Sequence, residues 1–188
     1  NNINQKNKPM KIFKKISMLL LATITFLSCD EAERILDELT EFNITQDLTR
    51  EFNVSISEEG PETLNDEVTF DLASINQIQD DLDLISHVVI NSLTFEIDNF
   101  TGDSEATLSA ASMTFGETSI SLDNINLEES DIENTEYPIG DPTQLNAIAD
   151  ELQEATQITV TFSGTVDNTP VSFDVKLVLN STISGDVL

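Results

Sequence analysis

The side chains able to do chemistry are few in kind: one histidine, one cysteine and 35 carboxylates. A hydrolase of the Ser-His-acid type needs a base held against an activated nucleophile. His87 could supply the base, but no GxSxG elbow accompanies it. It stands in register with Val89 at the start of an apolar-alternating stretch and reads as a strand-end surface residue. A His-based zinc site needs more ligands of that kind than one His provides, with Cys29 in another setting. The carboxylates form two local clusters, Asp80, Asp81 and Asp83 in "QDDLDL" and Glu128, Glu129, Asp131 and Glu133 in "EESDIENTE". Hard oxygen ligands suit Ca²⁺. The second cluster is the better candidate metal site, because its surroundings read as a loop. Neither has EF-hand spacing, and the ordinary alternative is a solvated acidic face. A glycosidase needs two positioned carboxylates and usually aromatic sugar platforms, and the chain has no Trp and one Tyr. Gly102, Gly116, Gly140, Gly164 and Gly185 are scattered singly, so there is no phosphate-cradling loop. Asn-X-Ser/Thr triplets begin at Asn43, Asn53, Asn99 and Asn180 and read as incidental. No catalytic residue is assigned, and the chain is expected not to be an enzyme.

The cysteine has a more specific setting. Lys11, Lys14 and Lys15 precede an apolar run from Ile16 to Leu27, and small Ser28 then precedes Cys29. A basic start, a short apolar centre and a small-residue exit make a secretory leader, with Met10 as its start. The run is shorter than the roughly 20 apolar residues of a membrane span. "FLSC" resembles the lipobox of bacterial lipoproteins, with Phe26 where Leu is usual. The resemblance implies cleavage before Cys29 and a diacylglycerol on its sulfur. "CDEAERILDEL" resembles the acidic export signals of surface lipoproteins in Bacteroidota-type bacteria, which implies a lipid-anchored protein of the outer membrane, exposed at the cell surface. By enterobacterial rules, Asp30 directly after the cysteine would instead imply inner-membrane retention. Two or more acyl chains hold a protein stably on a bilayer, where one does not.

Charge narrows the partners. Of eight basic residues, five precede Cys29; from Asp30 onward three face all 35 acids, a net of −32. Such a field repels nucleic acid and anionic membrane and favours cationic partners.

The elements follow from apolar spacing. Residues 1–28 are extension and leader, 29–41 the lipidated cysteine with an acidic tether, and 42–188 a single domain. Period-two alternation marks strands at "EFNVSIS", "EVTFDLA", "HVVINSLTFEIDNF", "ATLSAASMTF" and "TSISLDNINL", the last with a break near Asn124. Val89, Leu93, Phe95 and Ile97 are expected on one face. Ile75, Ile78, Leu82 and Ile85 predict a helix capped by Ser74. Asp141, Pro142 and Gln144 predict the start of a second helix carrying Leu145, Ile148, Ala149 and Leu152 inward. "QITVTFSGTV" and "VSFDVKLVLNSTI" predict a long antiparallel hairpin turning at "DNTP". Residues 74–115 and 141–180 each read helix, strand, turn, strand, which suggests a repeated unit.

The fold expected is mainly β: an antiparallel two-sheet sandwich, immunoglobulin- or fibronectin-like, with two short helices. The function expected is a non-catalytic binding or structural module anchored to the envelope by lipid, with an envelope protein as possible partner. Two alternatives stand beside it: a carrier holding a hydrophobic ligand between sheet and helices, and a Ca²⁺-dependent adhesion module.

Overall fold

The computed structural model describes residues 41–186. The strands are β1 (Glu41–Ile56), β2 (Glu62–Asp71), β3 (Ile85–Thr101), β4 (Thr107–Phe115), β5 (Thr118–Ser121), β6 (Ile125–Asn126), β7 (Tyr137–Pro138), β8 (Gln157–Val166) and β9 (Val171–Asp186). The helices are α1 (Leu127–Glu133) and α2 (Pro142–Ala155). Among the described residues no helix is long and apolar enough to cross a membrane.

Two antiparallel sheets face each other. The first has the order β1-β9-β3-β7; the second has β2-β8-β4-β5, with β6 also on β4. The side-chain pairs Thr45–Thr182, Asp47–Asn180 and Asn53–Asp174 show that β1 runs antiparallel to β9. Alternation does what the sequence asks of it. Along β9, Val171, Phe173, Val175, Leu177, Leu179 and Ile183 all turn inward and are buried. Facing them from β8 are Ile158, Val160, Phe162 and Val166. The two layers meet where Phe52 of the first packs on Phe162 of the second, ring centres 5.4 Å apart.

The connections differ from the expected hairpins. β8 lies in the second sheet and β9 in the first, so "DNTP" carries the chain across the sandwich. β1–β2 and β3–β4 cross in the same way. Both a hairpin and an arch between sheets place alternate residues inward, so periodicity does not separate them. The likeness to immunoglobulin-type domains, where strands A and B share a sheet as do F and G, is one of architecture and not of connection order. The two similar units are set in opposite senses: β3–β4 runs from first sheet to second, β8–β9 from second to first.

β3 carries a second difference. Val88 and Ile90 are buried, then Leu93, Phe95 and Ile97. Even-numbered residues cannot share a face with odd-numbered ones unless an extra residue intervenes, and the register slips between Ile90 and Ser92. This β-bulge turns Val89 outward, against the expected face.

The segment before β3 is not an α-helix. Its backbone bonds run from Ile75 to Leu72, Ile78 to Ile75, Asp81 to Ile78 and Leu84 to Asp81, each three residues back. A period of three stacks Leu72, Ile75 and Ile78 on one side, all buried. The cap is Asp71, whose carboxylate accepts from Ala73 N at 2.8 Å, and not Ser74, which donates to Asp71 O. By contrast α2 forms as expected. Asp141 accepts from Thr143 N and Gln144 N, Gln144 answers to Asp141 N, and Pro142 takes the first turn. Ile148, Ala149 and Leu152 are buried against the sheets. The expected break near Asn124 separates β5 from β6.

Candidate functional site

The residues singled out by type do not come together. His87 is exposed on β3, paired in register with Ser184, and its imidazole makes no hydrogen bond or ion pair among the described residues. The buried hydroxyl nearest it along the ladder, Ser181, is fully buried on the inward side of β9, the opposite face of the sheet. Ser181 Oγ and Ser130 Oγ are buried without hydrogen-bond partners.

Glu128, Glu129, Asp131 and Glu133 lie on α1, not on a loop. Asn126 caps this helix, accepting from Glu129 N at 2.8 Å, and Asn134 ends it in a left-handed conformation. Leu127 and Ser130 turn inward, and the carboxylates spread over the remaining surface. Among the described residues no group of three or more His, Cys, Asp or Glu side chains is placed to hold a metal ion. A helix accounts for two of the four acids in another way: Glu128 and Glu129 occupy its first turn, where negative charge is favoured by the helix dipole, whereas Asp131 and Glu133 lie in its last turn. Cys29 and the acidic tether lie outside the described residues.

The Asn triplets do share a surface. Asn43, Asn53, Asn99 and Asn180 lie on β1, β3 and β9, the adjoining strands of the first sheet. Asn53 and Asn99 donate to the two oxygens of Asp174 at 2.7 and 2.8 Å. Asn180 donates to Asp47 and accepts from Asn91 at 2.8 Å. On this outer face Asn53, Asn99 and Asn180 are tied by hydrogen bonds to neighbouring polar side chains.

Concave surface lies at the margins of the sandwich. One cleft of about 460 Å³ opens beside β5 and β7, floored by the stacked rings of Phe95 and Tyr137, centres 4.9 Å apart. Gln144 crosses its wall to donate to Ser119 O at 3.1 Å. Another cleft, of about 410 Å³, opens between β1 and β2, the edge strands of the two sheets. Val54, Ile56 and Leu64 form its apolar lining, and Glu58, Glu62 and Asp66 its acidic lining.

Three features make the β1–β2 margin unlike the rest of the core. Leu64 and Val68 face inward from β2 yet are only half-buried. The strand partner of Leu64 is Gly164, so no side chain flanks Leu64 there. A Cβ on Gly164 would lie 2.9 Å from Leu108 Cδ1 and 3.2 Å from Ala111 Cβ, so filling it would require the end of the buried Leu108 side chain to shift. Further along the same margin, Arg50 occupies an inward-facing position of β1, between Leu48 and Phe52. It reaches across to β2, where its Nε donates to Thr69 O and its guanidinium stands 5.5 Å from the Phe70 ring centre. The sequence signal for this residue was its phase: Arg50 falls in the alternation Leu48, Phe52, Val54, Ile56 where a core residue is expected.

The electrostatics are one-sided. Residues 41–186 hold 30 acidic side chains against Arg50 and Lys176, a net of −28. The ion pair among them is Lys176–Glu96, at 3.3 Å on the surface.

No family model matches the sequence, and no curated protein matches it. Among solved structures, one titled Desmodium yellow mottle tymovirus is similar, at 14% identity and a TM-score of 0.34 over 78% of this chain and 85% of that one.

Proposed function

We propose that this protein is a lipid-anchored module of the bacterial envelope, held by Cys29, which presents a non-catalytic β-sandwich for binding. The observation that carries the reading is the place of the single cysteine, at the exit of an apolar leader and directly before an acidic tether. The dispersal of His87, Ser181 and the carboxylates over separate faces supports a binding role over a hydrolytic one. A carrier of hydrophobic ligands needs an enclosed apolar cavity; the two clefts described lie at the margins, outside a continuous layer of buried side chains. Glu128 and Glu129 have a structural reason to be at the start of α1, and among the described residues the acids do not converge as metal ligands, which disfavours the calcium-dependent reading.

The test is Cys29→Ser in the native host. The reading expects the variant to move from the membrane fraction to a soluble one, with the melting temperature of the β-domain unchanged. A variant that stays with the membrane overturns the anchor.

A further inference from the structure

We infer that the cleft between β1 and β2 receives a cationic peptide segment in extended conformation, added as a strand on the free edge of β2. The inference rests on the reading of the protein as a binding module and names the chemistry of its partner.

The edge comes first. β2 pairs with β8 without a register shift, from Glu62–Val166 to Asp71–Gln157. In an antiparallel ladder alternate residues turn both N–H and C=O to the same side. The Thr69 carbonyl faces the free side, since Arg50 takes it. Thr63, Asn65 and Glu67 therefore face that side too. Glu67 N–H is met by the neighbouring Asp66 carboxylate at 2.8 Å. Among the described residues the edge is open at Thr63 and Asn65, and these two residues line the cleft. An unpaired edge of this kind is a template for another strand.

Charge selects the occupant. Glu58, Glu62 and Asp66 line the cleft, and no basic residue does. A second copy added edge to edge would set Glu62, Asp66 and Glu67 near the same acids, so self-pairing is disfavoured by like charge. A strand bearing Lys or Arg is favoured by the same field.

The molecule also shows how a cation is received here. Arg50 already crosses this margin, bonding a free carbonyl of β2 and covering an aromatic ring. The cleft continues this margin beyond Arg50, with the carbonyls of Thr63 and Asn65 and the half-covered Leu64 in the equivalent setting. Glu62, Leu64 and Asp66 share the inward face of β2, so an incoming strand would bond the edge and carry basic and apolar residues in turn along that one face, the apolar ones on Leu64, Val54 and Ile56 and the cations by the carboxylates.

The test uses the full-length protein from its host and the blocked eight-residue peptide Arg-Thr-Val-Thr-Arg-Thr-Val-Thr, which as a strand carries Arg and Val in turn along one face. Two control peptides carry N-methyl groups at alternate backbone nitrogens, or Glu in place of Arg. The expected result is saturable binding of the first peptide, weakened at least tenfold by N-methylation and lost with Glu. Glu58→Gln, Glu62→Gln and Asp66→Asn together should weaken it at least tenfold, with an unchanged or higher melting temperature confirming the fold. Asn65→Pro, which removes one outward N–H at an edge position where proline is tolerated, should weaken it as well. Equal binding of the N-methylated peptide, or full binding by the triple variant, would mean attraction to the acidic surface at large and would overturn the inference. Absence of binding overturns it too. Neither result touches the anchor, which the Cys29 variant reads separately.

Discussion

Arg50 and Phe70 close one stretch of an otherwise open margin: the guanidinium of an inward-facing β1 residue lies over the ring of a fully buried β2 residue. The pair joins the edges of two sheets that share no backbone ladder there. Cation–ring contacts contribute about 0.5–1 kcal/mol, and a hydrogen bond from a charged donor about 1.5–3. Part of this is offset by partial exposure. Arg50→Ala is expected to lower stability by about 1–2 kcal/mol in urea unfolding, and Arg50→Lys by less. No loss in either variant would mean that the bridge is not maintained in solution.

Self-repulsion gives a second expectation. With a net of −28 over the described residues, the folded domain holds like charges close together. Salt screens them, with a Debye length of about 10 Å at 0.1 M and 3 Å at 1 M. The melting temperature is expected to rise steadily from 10 mM to 500 mM NaCl. A flat or falling curve would contradict the electrostatic picture.

The acids of α1 permit a direct comparison of ions. If Glu128 and Glu129 serve the helix start, CaCl₂ and MgCl₂ at equal ionic strength raise the melting temperature equally. Replacing both with Gln should then cost about 0.3–1 kcal/mol each. A rise specific to Ca²⁺ and abolished by the double substitution would restore the calcium-dependent reading.

The centre of the sandwich is where truncation should cost most. Phe162 is fully buried and packs on Phe52 across the layers. Phe162→Ala is expected to lose about 3–5 kcal/mol. Ser181→Ala should act in the opposite direction. It removes a buried hydroxyl that has no partner, and burying an unpaired polar group costs about 1–3 kcal/mol. A destabilised Ser181→Ala would show that its hydroxyl is bonded, for instance through water.

The layered β architecture was legible because Val171 through Leu179 and Ile158 through Val166 alternate cleanly, and α2 because Asp141, Pro142 and Gln144 fix its start. What failed did so for identifiable reasons. The hairpins became arches because alternation records which face is buried and not which strand is the neighbour. Val89 was placed inward because one extra residue near Asn91 inverts the phase without leaving a compositional mark. The helix expected after Ser74 became a chain of three-residue turns, since spacings of three and four fit either winding over so short a span. α1 was hidden in an acidic stretch whose single buried apolar anchor is Leu127. The β1–β2 cleft left two faint signs, a basic residue in core phase at Arg50 and a glycine in core phase at Gly164. Their meaning depends on Gly164 pairing with Leu64, more than 90 residues away in sequence.

The central claim is that Cys29 is the membrane anchor of a binding module. Its most direct test is the mass of the N-terminal peptide of the protein extracted from its own cells. The account expects a peptide that begins at Cys29 and carries two or three acyl chains. An unacylated peptide, or one beginning elsewhere, would contradict it.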